Sequence, residues 1–172
     1  MRRWLVPCLA LAACAHRGAV ARDLTTASER SGWVATGRHD EAVRLCHDVA
    51  RAHPDQARCE TFGTSPGGRA MVALVLGRGG LEPAAAARAR RPVILIEAGI
   101  HAGEIDGKDA GFWLARDLVT GAALPGVLDA VTVVFVPIFN VDGHERFGPN
   151  HRPNQRGPVE MGFRTTSGAL NL

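Results

Sequence analysis

Hydrophobic positions along this chain fall into runs of two periods. After a polar stretch, Gly37 precedes a segment in which Val43, Leu45, Cys46, Val49 and Ala50 recur near helical spacing, and His53-Pro54 stops the run. Residues 57–62 and 70–76 read as two strands joined by a loop, 63–69, with Gly, Pro and Ser at its turn positions. Gly77-Arg78-Gly79-Gly80 opens a linker that continues through the Ala- and Arg-rich residues 84–91, whose arginines suit a solvated loop or a frayed helix. Residues 93–98, introduced by Pro92, form a short β-rich apolar run expected to be a buried strand. Residues 105–119 follow as a helix with Ala110, Trp113, Leu114 and Leu118 on one face. Leu124-Pro125-Gly126 turns the chain into 131–139, apolar on both faces as a central strand should be. From Asn140 onward Gly, Pro, Asn and Arg dominate, and a loop of that length with no element of its own is functional or disordered. Strands alternating with helices of these lengths predict an α/β fold with a mixed sheet, and there is no internal repeat.

The first residues read differently. Arg2 and Arg3 make a basic start, and the apolar stretch 4–13 is too short for a bilayer, which takes ~20 residues. It fits the centre of a secretory signal, giving a leader over 1–13, a linker over 14–36 and the main folded domain over 37–172. Leu11-Ala12-Ala13-Cys14 resembles a bacterial lipobox, in which Cys14 carries the lipid; Ala15 is not the Asp that signals inner-membrane retention. The expected location is therefore periplasmic or outer-membrane, after secretion across the inner membrane.

Composition then narrows the partners. The chain carries +3 net charge, of which Arg2 and Arg3 supply +2 while residues 1–13 contain no acid, leaving +1 for the remainder. That balance offers no electrostatic case for nucleic acid. Four cysteines reduce to Cys46 and Cys59 once Cys8 leaves with the leader and Cys14 is lipidated. The pair stands in a compartment that permits disulfides, as a bridge or as two apolar thiols facing a core.

The candidate chemistry lies at Gly99-Ile100-His101-Ala102-Gly103-Glu104, at the end of the 93–98 strand. Glycines on both sides of His101 allow tight turns, so an imidazole and a carboxylate three positions apart can reach one cation from the same side. Zn²⁺ takes N and O ligands at ~2.0–2.2 Å, and catalytic sites of the His₂Glu type keep one position open for water. In open α/β sheets ligands bind beyond the carboxyl ends of strands, which is where this turn lies. The competing reading is a turn histidine bonded to a carbonyl and a glutamate favoured by a helix dipole.

The segment from Gly99 to Ala110 resembles the first zinc-ligand motif of the zinc carboxypeptidases. Three further landmarks follow that family's order: Phe62-Gly63-Thr64-Ser65-Pro66-Gly67-Gly68-Arg69, Asn140-Val141-Asp142-Gly143, and Gly162-Phe163-Arg164 with Asn171-Leu172. The resemblance implies a twisted eight-stranded mixed sheet flanked by helices, with this chain supplying about the first half. It implies a zinc metallocarboxypeptidase acting on peptide or protein substrates, with His101 and Glu104 as Zn²⁺ ligands. Arg164 would face the scissile carbonyl, and Asn171 would hydrogen-bond the zinc histidine's second nitrogen. The third ligand and the catalytic glutamate have no counterpart here, so the chain is expected to be an inactive fragment of a longer enzyme. Two rival readings share the fold: an aspartoacylase or succinylglutamate desuccinylase-like zinc deacylase, and a non-catalytic peptide-binding lipoprotein. The approach to Arg164 and the 63–69 turn favour the peptidase.

His144 and His151 read as surface loop histidines, Lys108 as solvated, Asp106 and Asp109 as complements to a helix dipole, and Asp142-Gly143 as a turn. The lipobox reading is tested at Cys14: Cys14→Ser is expected to abolish lipid labelling and release the protein from membranes. Unchanged membrane association without a mass shift at the amino terminus removes the anchor.

Overall fold

The computed structural model describes residues 23–79 and 81–172; the leader and Cys14 lie outside the described residues. Strands β1 (Ala57–Thr64) and β2 (Ala70–Leu76) form an antiparallel hairpin. Next to β2 lies β4 (Thr132–Val136), antiparallel to it, and β3 (Val93–Glu97) runs parallel to β4, giving one mixed sheet of order β1-β2-β4-β3. The parallel pair needs a long crossover, supplied by α4 (Asp106–Thr120), which ends at Gly121 in the left-handed conformation. Helix α2 (His39–Ala52) packs Ala42, Leu45, Cys46 and Val49 into the core that α4 enters with Phe112, Ala115, Leu118 and Val119. Phe112 meets Phe135 of β4 edge-on, with ring centroids 5.3 Å apart. Short helices α1 (Ala27–Arg30), α3 (Pro83–Ala89) and α5 (Val127–Ala130) fill the connections. Among the described residues no helix is long and apolar enough to cross a membrane.

The mixed α/β architecture is the expected one, and four details differ from expectation. β3 is not buried: Val93, Ile94 and Leu95 are 58%, 45% and 63% exposed. An apolar strand asks for cover, but among the described residues β3 stands at the edge of the sheet and pairs with β4 alone. Helix α4 is also turned, for Trp113 and Leu114 are exposed while Lys108, Asp109, Phe112 and Ala115 face inward. Third, the segment after residue 140 has elements of its own: α6 (Val141–Glu145) and a two-stranded ribbon of β5 (Gly148–Pro149) and β6 (Glu160–Met161). Lastly, Lys108 is not solvated and His144 is not on the surface; both are 2% exposed.

The rotation of α4 has a polar cause. Lys108 Nζ donates to Asp109 Oδ1 at 2.6 Å, and Asp109 is as buried as Lys108. The second carboxylate oxygen accepts from Ser28 Oγ at 2.5 Å and from Thr36 Oγ1 at 2.8 Å. Taking two ions out of water costs several kcal/mol each, which their mutual bond and the two hydroxyls on Asp109 work to offset. Residues 23–38 thus form a strap over α4. It is fixed further by the Thr26–Glu29 capping box of α1 and by Arg116, whose Nη2 and Nη1 donate to Glu29 Oε1 and Oε2 at 2.6 and 3.1 Å. Trp33 of the strap stacks on Trp113, centroids 5.4 Å apart, which is why Trp113 sits on the outer side.

Cys46 of α2 and Cys59 of β1 are joined in a disulfide with Cα atoms 5.4 Å apart. A closed loop of about this size stabilises by about 3 kcal/mol on the chain-entropy account.

The buried pair sets a stability expectation. Asp109→Ala strands the Lys108 ammonium in the core and is expected to cost about 3–5 kcal/mol in urea unfolding. Ser28→Ala with Thr36→Val keeps the pair and is expected to cost about 1–3 kcal/mol. Equal losses from the two variants would show that the ion pair itself is not the buried constraint.

Candidate metal centre

The β3–β4 ladder continues past the strand ends. Ala98 N–H donates to Val136 O, Phe139 N–H to Ala98 O and Asn140 N–H to Gly99 O, each at 2.9 Å. This zip carries the chain into the turn that holds His101 and Glu104. Gly99 has φ +60°, and a Cβ there would lie 3.2 Å from Ile138 Cα; Gly103 has φ +89°, and a Cβ there would lie 2.5 Å from Gly162 O. Both positions therefore require glycine, for conformation and for space. Glu104 N–H closes the turn on His101 O at 3.2 Å.

His101 Nδ1 lies 3.3 Å from Glu104 Oε1. Two donors at ~2.1 Å from one tetrahedral cation stand about 3.4 Å apart, so the spacing fits two ligands of one ion as well as a direct imidazole–carboxylate contact. The other ring nitrogen, Nε2, is 2.7 Å from Leu172 O and 3.0 Å from Arg164 Nη2. A proton on Nε2 would donate to Leu172 O and a proton on Nδ1 to Glu104 Oε1, and metal binding at Nδ1 requires the first of these. Arg164 Nη1 approaches Glu104 Oε1 at 3.5 Å, and Arg164 Nε donates to Asn171 Oδ1 at 2.7 Å. His101, Glu104, Arg164 and Asn171 are thus gathered in one place. Asn171 bonds the arginine, and the Leu172 carbonyl stands where a partner for the histidine was expected of Asn171. Among the described residues no group of three or more His, Cys, Asp or Glu side chains could hold a metal ion.

Asn140-Val141-Asp142-Gly143 explains how Arg164 arrives. Asn140 Oδ1 accepts from Gly143 N–H at 3.0 Å, capping α6, while its Nδ2 donates to Arg164 O at 3.2 Å. Gly143 O accepts from Phe163 N–H at 2.8 Å, and a Cβ on Gly143 would lie 2.7 Å from Phe163 O. Asp142 reaches the other way, accepting from Ser65 Oγ, Gly67 N–H and Arg69 Nη1, all at 2.8 Å. Burial alone would raise the Asp142 carboxyl, but Ser65, Gly67 and then Arg69 hold it below the usual carboxylate range. The turn ties the 63–69 loop and the Arg164 segment to the end of β4.

His144 and His151 stand outside the pair. His144 Nε2 meets Gly37 O at 3.2 Å; burial first, then the nearby Lys108 charge, push its pKa down to about 4, so the ring is neutral and donates. His151 lies edge-on to Phe163, centroids 5.3 Å apart. The residue that sequence reasoning missed is Arg152, whose Nη2 donates to Glu104 Oε1 at 2.6 Å. No spacing marks it, because it comes from a loop 48 residues away. Burial works to raise the Glu104 carboxyl, and the Arg152 bond and charge, with His101 after them, hold it below its ordinary value.

A mixed sheet with a His-x-x-Glu turn at the carboxyl end of a parallel strand defines the class. The zinc carboxypeptidase family model matches residues 42–163, and the chain belongs to that family. It is similar to carboxypeptidase B of Astacus astacus, 30% identical over 113 residues covering 65% of this chain and 35% of that protein. Among solved structures it resembles a metallo-carboxypeptidase from Burkholderia cenocepacia, with TM-score 0.56, 24% identity and coverage of 78% of this chain and 31% of that one. A carboxypeptidase A from Helicoverpa armigera gives TM-score 0.55 and 17% identity over 64% of this chain and 26% of that one. The chain therefore spans at most 35% of the length of these three relatives. Residues 23–38, Arg164 and Asn171 fall outside the matched segment.

Gly143→Ala is expected to push the 163–165 backbone away from α6 and move Arg164 from His101, costing about 1–3 kcal/mol of stability as an overpacking change. A crystal structure of the variant with the Arg164–His101 contact intact would show that the turn does not set the arginine.

Proposed function

We propose that this chain provides part of the active site of a zinc-dependent metallocarboxypeptidase that hydrolyses peptide bonds. The observation that carries the reading is the 3.3 Å approach of His101 Nδ1 to Glu104 Oε1 on one glycine-bounded turn. That donor set, one imidazole and one carboxylate, suits Zn²⁺. Bound there, Zn²⁺ supplies Lewis acidity, polarising a carbonyl and lowering the pKa of water toward ~7. His101 and Glu104 would hold the ion through the ring Nδ1 and a carboxylate oxygen. Arg164 stands beside them with a permanently charged guanidinium, placed to donate to an oxygen that gains charge as the peptide bond is attacked. Asn171 keeps that guanidinium oriented through its bond to Nε. In this reading the third donor and the general base come from outside these 172 residues. Carboxypeptidases act on peptide substrates, and the proposed substrate class is a peptide or protein chain. Delivery across the inner membrane and anchoring through Cys14 belong to the same proposal and place the enzyme in the periplasm or outer membrane.

The test removes one donor at a time. In the protein as it occurs, His101→Ala or Glu104→Ala is expected to abolish stoichiometric zinc, measured by elemental analysis, together with peptidase activity. Arg164→Ala is expected to keep the zinc and lower kcat by about 10²–10³, the cost of losing one oxyanion donor. Full zinc in either ligand variant overturns the assignment.

A further inference from the structure

Glu104 is held by a side chain that no motif marks. Arg152 lies in the loop between β5 and β6, with its side chain 11% exposed, and Nη2 donates to Glu104 Oε1 at 2.6 Å. Gln155 braces it: with its amide turned to satisfy both neighbours, its oxygen accepts from Arg152 Nη2 at 2.5 Å and its nitrogen donates to Gly103 O at 3.2 Å. Gly103 leaves room for this packing, because a Cβ there would lie 2.9 Å from Arg152 Cγ. The other guanidinium near Glu104 is a weaker hold. Arg164 approaches the same oxygen only at 3.5 Å, is 42% exposed, and spends its Nε on Asn171.

We propose that Arg152 is a positioning residue for metal binding, fixing the Glu104 carboxylate in the rotamer that faces His101 Nδ1. The inference rests on reading His101 and Glu104 as metal ligands. The Glu104 side chain is 38% exposed, so without Arg152 it turns into water among its other rotamers. A ligand already held in place binds without that loss of freedom. Two effects of Arg152 oppose each other. Its positive charge repels a dication, while its bond orients a ligand. Arg152 Nη2 bonds the carboxylate at 2.6 Å, and the carboxylate, 38% exposed, is wet enough for solvent to screen the opposing charge, so orientation wins. Hydrogen-bonding partners behind metal ligands are typically worth about 10–100-fold in metal affinity.

The experiment is a zinc titration against a chromophoric chelator, on the protein as it occurs, with the visible spectrum of the Co²⁺-loaded form and urea unfolding of the metal-free form alongside. Arg152→Met removes the bond and the charge; Arg152→Lys keeps the charge but loses the planar fork. Both are expected to weaken zinc binding about 10–100-fold and to shift the Co²⁺ bands. Gln155→Leu, which touches neither Arg152 nor Glu104 covalently, is expected to move both readouts the same way by less, and it carries the test if the arginine variants do not fold. Wild-type or tighter affinity in folded Arg152→Met overturns the proposal, since charge repulsion then outweighs orientation. Lowered unfolding midpoints with unchanged affinity and unchanged Co²⁺ bands do the same, reducing Arg152 to a structural role. Glu104→Ala separates the two readings. If it keeps zinc at wild-type affinity the ligand assignment has failed; if it loses zinc while Arg152→Met does not, only the positioning role has failed.

Discussion

The parallel ladder between β3 and β4, carried three bonds past the strand ends, is the constraint on which the site depends. Those bonds leave the backbone of Gly99 and Asn140 no freedom relative to each other. One strand then opens into the His101–Glu104 turn and the other into α6. Through Asn140, Asp142 and Gly143, the exit of β4 also fixes the Arg164 segment and the 63–69 loop. Residues far apart in sequence are thus registered to one pair of strands in the sheet, which is more rigid than any loop-to-loop contact could be.

A second constraint acts from the opposite side of α4. The Lys108–Asp109 pair begins at the fourth residue after Glu104, and its second carboxylate oxygen is satisfied by Ser28 and Thr36. The first turn of α4 therefore has the strap on one flank and the His101–Glu104 turn directly before it. Hydrophobic burial alone would leave the helix free to roll; the buried charge selects one rotation, which is the use for which buried polar groups are best attested.

Much of this was legible in the chain. The α2 periodicity and the two β-rich runs correspond closely to His39–Ala52, Ala57–Thr64 and Ala70–Leu76. Such signals are local and survive tertiary context. The spacing of His101 and Glu104 was readable for the same reason, since the glycines that flank the turn are in sequence beside it. The face of α4 was not, because it is decided by the hydroxyls of Ser28 and Thr36, 81 and 73 residues from Asp109, and periodicity carries no information about them. Burial of β3 was misjudged because composition states what a strand prefers, not which element lies over it. The burial of His144 and the reach of Arg152 to Glu104 belong to the same class: each depends on a single long-range contact, to Gly37 and across a 48-residue separation respectively.

The stacked pair Trp33 and Trp113 gives the strap its own optical signature. The chain has three tryptophans and no tyrosine, so its near-ultraviolet bands come almost wholly from indole. Trp33 rides on the strap and Trp113 on α4, with planes inclined by 24° at 5.4 Å. Two indoles at that separation couple excitonically, and their coupled circular dichroism exists only while the strap is docked. The protein thereby reports the state of its amino-terminal segment without any added label.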